Sequence, residues 1–586
     1  MKLPSKAQAL SFSFPRRPVA LGTVLAAALC VAGCGGSGGD DDDDAPPRQA
    51  MTCAQLGGMT VAAGAIGLPT TGAVVTSATV VAATGSGPTA VGEHCRVLGD
   101  IRPVDATAQS VKFQLNLPTA WNGKAMMFGG GGYNGTLATG AGNVPAGPTD
   151  KATPLGRGYA TFGSDSGHQA DSLTTSRDGS FGANDEMLRN FAGDAIKKTR
   201  DVAAALIESR YASRARQTYF AGGSTGGREA LAAVTRWPAD FDGAIVLYPA
   251  WDAVALDLQF GRITRALAQP NAYPNRAKRR LLLDASTAAC DALDGVADGL
   301  VSNVAACNAG FDPRTATFNG APLRCPGGAD TGDACLSDAQ ITALEVTNTP
   351  LVLPYRLASG ETGYPGFNVW GTDFGATGTS PLQPTVVTLS LGTLAPANPM
   401  PAVTATASPP YGSTFWDQWI RFFVTRNANA NSLAVDPQNP GALQSRIVEL
   451  SGLQDVTSAD LSAFRARGGK ILMAHGSHDA LVSTRATARY HARLREAMGT
   501  AQVDSFVRYY EIPGYGHAAS SVFNAAWDSL TTLENWAESG VAPPAQVVAD
   551  TAGVPGRTRP LCDYPRYARF VGGNVNAATS FNCVNP

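Results

Sequence analysis

The chain has 586 residues, of which 44% are hydrophobic and 16% charged, with a net charge of −2, 65 glycines and 38 prolines. This is the composition of a loop-rich globular protein, longer than one ordinary domain. No basic patch points to nucleic acid, which removes that class of partner.

Lys2, Lys6, Arg16 and Arg17 precede an apolar stretch over 18–33 that is too short and too rich in small residues for a membrane span. Residues 1–33 therefore read as a secretory signal. Val31-Ala32-Gly33-Cys34 resembles a bacterial lipobox, which makes Cys34 the lipidated first residue of the mature chain; an ordinary signal peptide is the alternative. The expected location is the bacterial outer membrane or periplasm, with the membrane touched only through the lipid. Residues 34–52, glycine-rich and with an acidic run at 40–44, read as a solvated tether. A Gly-x-Ser-x-Gly match in this tether, Gly35 to Gly39, has no strand before it and no helix after it.

Further on, the apolar run Ala125-Met126-Met127-Phe128 leads into Gly129-Gly130-Gly131-Gly132. Successive glycines after a strand let the backbone approach a ligand closely, as an oxyanion loop requires. Gly132 is the residue expected to supply one N–H donor and Thr225 the other. Ser224 lies in Gly222-Gly223-Ser224-Thr225-Gly226, between the strand-like run Thr218-Tyr219-Phe220-Ala221 and a helix-like run from Arg228 to Val234. That context is a nucleophile elbow.

A serine nucleophile needs a base to take its proton and an acid to orient that base. Six histidines are available. His94 and His491 read as surface residues, and His168 precedes Ser224. His517 follows the strand-like segment 506–512 and a loop carrying Gly514 and Gly516, the place for a catalytic histidine in an α/β-hydrolase. Asp479 ends the strand-like Lys470-Ile471-Leu472-Met473-Ala474-His475 after a short turn and is the orienting carboxylate, with His475 and His478 as neighbours rather than the base. The order Ser224, Asp479, His517 is the α/β-hydrolase order.

Taken together, Trp121-Asn122-Gly123, the glycine loop with Asn134-Gly135, Gly222 to Arg228, the segment Cys290 to Gly299, the Asp479 turn, Pro513-Gly514 before His517, and Arg557-Thr558-Arg559-Pro560-Leu561-Cys562 resemble the tannase and feruloyl esterase family over most of the mature chain. The resemblance implies an α/β-hydrolase core interrupted by a large lid, a calcium site in the lid, and ester hydrolysis through an acyl-enzyme. The hydrolase elements fall at 53–250 and 465–586, which leaves 251–464 as the lid. Its aromatics, among them Tyr364, Phe367, Trp370, Phe374, Tyr411, Phe415, Trp416, Trp419, Phe422 and Phe423, are expected to be mostly lid core, with one or two free to stack on an aromatic acyl group.

Asp291, Asp294 and Asp298 crowd three carboxylates beside Cys290, a repulsion that a solvated turn or a cation relieves. The resemblance favours structural calcium, with the carbonyls of Val296 and Leu300 completing the ligands. With Cys30 and Cys34 set aside, eight cysteines remain, and an oxidising compartment lets them pair. The pairing that agrees with the resemblance joins Cys53 to Cys95, Cys290 to Cys307, Cys325 to Cys335, and Cys562 to Cys583.

One departure is informative. Family members commonly carry a cysteine just before the nucleophile and another just after the histidine, joined beneath the active site; here those positions are Gly223 and Ala518. The triad is then expected to be held by packing alone, and cysteines placed at both positions are expected to bond if their Cβ atoms stand roughly 3.5–4.5 Å apart. The expected activity is hydrolysis of esters of aromatic carboxylic acids, feruloyl or galloyl in type. The narrower alternative is a terephthalate monoester, whose free carboxylate calls for an arginine such as Arg421. A reading from another class is a surface-exposed binding lipoprotein on an inactive hydrolase scaffold.

Overall fold

The computed structural model describes residues 49–170, 175–376, 378 and 380–586. The signal at 1–33, Cys34 and the tether up to residue 48 lie outside the described residues. No helix among the described residues is long and apolar enough to cross a membrane.

Ten strands form the central sheet: β1 Thr60–Val61, β2 Ala73–Val81, β3 His94–Ile101, β4 Val111–Pro118, β5 Lys124–Phe128, β6 Ala160–Ser164, β7 Gln217–Gly223, β8 Gly243–Leu247, β9 Lys470–Gly476 and β10 Val507–Ile512. Their spatial order is β1-β2-β3-β4-β6-β5-β7-β8-β9-β10. The first four pairings are antiparallel, and from β6 onward every pairing is parallel. This is the α/β-hydrolase arrangement that the sequence predicts.

Burial follows from pairing type. In the antiparallel strand β2 buried positions give way to exposed ones, whereas β8 is buried at all five positions and β9 at all but its first. Parallel strands are covered on both faces, so their residues are apolar throughout rather than alternating. Successive side chains still point to opposite faces. Phe220, Ala244, Val246, Ile471 and Met473 join one core with Leu206 of helix α1 (Ala195–Tyr211) and Leu231 of helix α2 (Thr225–Arg236). Tyr219, Ile245, Leu247, Leu472 and Ala474 join the other with Leu530, Leu533 and Trp536 of helix α3 (Ser529–Ser539).

The chain leaves the sheet after β8 and re-enters at β9, which pairs directly with β8. The described residues of 251–464 contribute no strand to the main sheet. Phe260, Tyr364, Trp370, Trp416, Trp419 and Phe423 join one core that also takes in Tyr133, Phe181, Phe191 and Leu481 from the flanking segments, so most of the aromatics predicted for the lid interior are buried there. All four disulfides implied by the resemblance are present: Cys53–Cys95, Cys290–Cys307, Cys325–Cys335 and Cys562–Cys583.

Candidate active site

Ser224 sits between the last residue of β7 and the first of α2 with φ 60° and ψ −125°, a conformation that a non-glycine residue adopts only when its surroundings impose it. They do so through hydrogen bonds at both ends. Ser224 N donates to Leu247 O at 3.0 Å, and Ser224 O accepts from Arg228 N at 3.0 Å and Ala250 N at 3.2 Å. The turn directs the hydroxyl toward the strand ends. His517 Nε2 stands 3.0 Å from Ser224 Oγ, and His517 Nδ1 stands 2.8 Å from Asp479 Oδ2. With its proton on Nδ1, the ring leaves Nε2 free to accept the serine proton.

Asp479 is buried, and burial by itself would raise its pKa. The facing His517 ring, together with hydrogen bonds from His475 and His517, outweighs that cost and holds the carboxyl well below the usual carboxylate range. His475 Nε2 lies 3.1 Å from Asp479 Oδ2, while Leu481 N and Val482 N donate to Asp479 Oδ1 at 2.8 and 2.9 Å. The acid therefore stays ionised and fixed in orientation, which the histidine requires of it.

The glycine loop after β5 packs against the start of α2. A Cβ on Gly129 would lie 2.5 Å from Gly226 Cα, so backbone meets backbone with no room for a side chain. Gly226 N donates to Gly130 O at 3.1 Å, and Thr225 Oγ1 donates to Gly132 O at 2.7 Å. Thr225 N, at the first position of α2, has no acceptor within the helix, and the helix dipole there favours negative charge. Beneath the loop, buried Glu229 accepts from Gly130 N at 2.9 Å through Oε2 and from Asn134 Nδ2 at 2.7 Å through Oε1. Sequence reasoning missed Glu229, since a glutamate in a helix carries no sign of burial until its partners from the loop are in place.

The position beneath the triad, where the resemblance led to the expectation of packing without a disulfide, is filled by a side chain that the sequence did not flag. A Cβ on Gly223 would stand 2.5 Å from Tyr248 Cε2 and 2.7 Å from Tyr248 Oη. The buried Tyr248 ring, just past β8, lies 4.8 Å from the His517 ring, centroid to centroid. Gly223 and the ring of Tyr248 thus share one volume, and Ala518 beside His517 has φ 60°. The expectation of packing alone acquires a named residue, and any side chain placed at position 223 has to displace the Tyr248 ring.

Two of the histidine readings need correction. His94 and His491, expected on the surface, are both buried, His94 with Nδ1 on Gly92 O and His491 between Tyr509 and Tyr564. A carbonyl two residues away serves His94 and aromatic rings enclose His491, so neither the adjoining Cys95 nor the charged neighbours of His491 was a guide to exposure. His168 is buried against Phe181 with Nε2 on Tyr133 O, and burial lowers its pKa to about 4. Arg421 is engaged by Asp417 at 3.1 Å and by Ala428 O at 2.7 Å.

In the acidic turn, Asp291 accepts from Asp298 N and Gly299 N at 3.0 and 2.8 Å, and Asp298 pairs with buried Arg559. Asp294 is fully buried; burial first, and the charges of Asp298 and Asp291 after it, push its pKa up to about 6. Its Oδ2 has no hydrogen-bond partner. Among the described residues no group of three or more His, Cys, Asp or Glu side chains stands in the arrangement of a metal site. The donor chemistry nevertheless suits a hard cation: three carboxylates, one with an oxygen left unsatisfied.

Two hollows share Leu389. A narrow crevice of about 20 Å³ is lined by His517, His478, Val386 and Leu389. A cleft of about 650 Å³, also bordered by Leu389, is lined by Ser176, Arg177, Gln383 and Tyr411.

A family profile described as tannase and feruloyl esterase matches residues 95–584. An uncharacterised esterase of Agrobacterium fabrum is 38% identical over 550 residues, covering 92% of this chain and 94% of that protein. The mono(2-hydroxyethyl) terephthalate hydrolase of Piscinibacter sakaiensis is 32% identical over 542 residues, covering 85% and 86%. The crystal structure of feruloyl esterase B from Aspergillus oryzae superposes with a TM-score of 0.69 at 22% identity, over 88% of this chain and 98% of that one, which establishes the shared fold.

Truncation of the ring beneath the triad tests its role. Tyr248→Ala should cost about 3–5 kcal/mol of stability through the cavity it leaves, and should lower kcat more than it raises KM because His517 loses its backing. Gly223→Cys with Ala518→Cys should remain two free thiols under oxidising conditions while Tyr248 is present. A disulfide in that double variant, read by mass spectrometry, would refute the packing account.

Proposed function

Because the chain belongs to the tannase and feruloyl esterase family and is a carboxylic ester hydrolase, we propose that it is a serine esterase cleaving esters of aromatic carboxylic acids, feruloyl or galloyl in type, through an acyl-enzyme. The observation that carries this reading is the hydrogen-bonded chain from Asp479 through His517 to Ser224, with Ser224 held on a strained turn at the N-terminus of α2.

In this mechanism His517 Nε2 takes the Ser224 proton as Oγ attacks the ester carbonyl. The N–H groups of Thr225 and Gly132 hold the resulting oxyanion, and Asp479 stabilises the imidazolium. Collapse of the tetrahedral intermediate expels the alcohol, protonated by His517, and leaves the acyl group on Ser224. A water deprotonated by the same nitrogen attacks the acyl-enzyme, and the acid departs as Ser224 regains its proton.

Residues 251–464 serve as the lid over this site, with Tyr411 the aromatic residue nearest the glycine loop: its Oη would lie 2.5 Å from a Cβ on Gly132. The acidic turn holds a calcium ion through Asp291, Asp294 and Asp298 and the carbonyls of Val296 and Leu300; the unsatisfied Asp294 Oδ2 supports this. The ion's contribution is to neutralise the carboxylates, and no catalytic step passes through it. The chain is exported, with Cys34 as its lipid-bearing residue.

Ser224→Ala and His517→Ala should each lower ester hydrolysis by about a thousandfold or more, and the double variant should be little worse, because the groups act as a unit. Turnover of p-nitrophenyl acetate measures this, and additive losses would remove the assignment. A fluorophosphonate probe should label Ser224; a label on Ser37 or Ser477 points elsewhere.

Chelation should lower Tm by several degrees while changing kcat little at a temperature where the protein stays folded, since a ligand of the native state stabilises it by mass action. Asp294→Ala should reproduce the shift and cancel the chelator's further effect. Unchanged Tm with no calcium by elemental analysis would leave the turn without a metal.

A further inference from the structure

The turn that carries Asp479 is held from two directions. From the sheet edge, Ser477 N donates to Ile512 O at 2.9 Å, His478 N donates to Tyr515 O at 3.1 Å, and Gly514 N donates to Ser477 Oγ at 3.1 Å. These bonds tie the acid's turn to the loop that leads to His517. The second hold comes from the inserted region, where Asn368 Nδ2 donates to Ser477 O at 2.8 Å across 109 residues of sequence.

Asn368 is itself fixed. Its Oδ1 accepts from Arg485 Nε at 2.8 Å, and Arg485 donates through Nη1 to Asn348 O at 2.8 Å and through Nη2 to Asn348 Oδ1 at 3.1 Å. Arg485 lies in the helix Thr484–Met498 that follows the turn, so the amide and the guanidinium link the turn, that helix and the inserted region. Nearby, Ser483 N donates to Tyr364 Oη at 2.9 Å, Ser483 Oγ donates to Gly366 O, and a Cβ on Gly371 would stand 2.9 Å from His478 Nε2. Residues 364–371 thus run along the turn in contact with it. Asn368, Ser477 and Ser483 are buried, and a buried carbonyl that loses its donor is left unsatisfied.

Ser477 O and His478 N belong to one planar peptide unit. The loop that leads to His517 clamps its N–H and Asn368 clamps its C=O, so the plane cannot rotate. Asp479 is the next residue, and its direction out of the turn follows from that plane. The orientation of the acid decides whether the His517 ring is held for proton transfer, and a misplacement of about 1 Å can cost about a hundredfold in rate.

Resting on the esterase reading above, we propose that Asn368 is a positioning residue for the hydrolysis: by fixing the Ser477–His478 peptide plane it holds Asp479 against His517. The inserted region thereby belongs to the catalytic framework, and Asn368 acts through the turn.

Asn368→Asp isolates the bond, because the side chain keeps its size and an acceptor for Arg485 and loses the Nδ2 donor. With active sites counted by fluorophosphonate labelling, kcat should fall about tenfold to hundredfold on p-nitrophenyl acetate and on methyl ferulate alike, while KM stays within about twofold. The low-field NMR resonance of the proton on His517 Nδ1, identified by its loss in His517→Ala, should shift or broaden in Asn368→Asp. A merely structural amide would lower Tm and the number of labelled sites, and leave the kcat of each labelled site and the resonance unmoved; that result would overturn the proposal, as would a loss confined to KM. If Asn368→Asp does not fold, Arg485→Met, which frees Asn368 from its other partner, should lower kcat about threefold to tenfold with the same change in the resonance. An unchanged kcat and resonance there overturn the proposal equally. A resonance displaced by Asn368→Asp in a protein whose unmutated form hydrolyses neither ester would instead remove the serine-esterase reading and leave the positioning of Asp479 by Asn368 standing.

Discussion

The arrangement on which everything else depends is the parallel pairing of β7, β8, β9 and β10. Strands that run in one direction side by side all end at the same edge of the sheet, so the segments that follow them converge whatever their separation along the chain. Ser224 follows β7, Tyr248 follows β8, Asp479 follows β9 and His517 follows β10. Ser224 and His517 are 293 residues apart and meet at 3.0 Å because of this edge. The large excursion over 251–464 is tolerated between β8 and β9 because loop-closure entropy grows only slowly with length, and because its apolar residues are buried in a core shared with Tyr133, Phe181 and Phe191.

A second constraint is charge in a dry interior. Asp479 and Glu229 are both buried, and each is surrounded by donors: two backbone N–H groups and two histidine rings for the first, and the glycine loop with Asn134 for the second. The donors lower the cost of burial, and in return each carboxylate fixes the groups that contact it. One of these anchors orients the base. The other holds the glycine loop packed against the start of α2, so the electrostatics of the site also determine its rigidity.

No disulfide among the described residues joins the segments of the triad, and volume does that work. Tyr248 lies against Gly223 and beside His517, and the absence of a Cβ at Gly223 is what admits the ring. A bond holds two points at a set distance, whereas a buried ring constrains every atom it touches.

By itself the sequence determined the local chemistry. The glycines around Ser224, the glycine run after Met127, the turn carrying Asp479 and the loop carrying His517 each have a short-range signature, because strand, turn and helix starts depend on neighbours a few residues away. Their order along the chain was enough to predict the α/β-hydrolase core and the inserted region. Only the tertiary structure decided that His94 and His491 are buried, that His475 braces Asp479, that Glu229 carries the glycine loop and that Tyr248 packs between Gly223 and His517. Each of these depends on which side chains from distant segments occupy one volume. No spacing within a single segment encodes that, because contacts between segments are set by how the sheet brings its ends together.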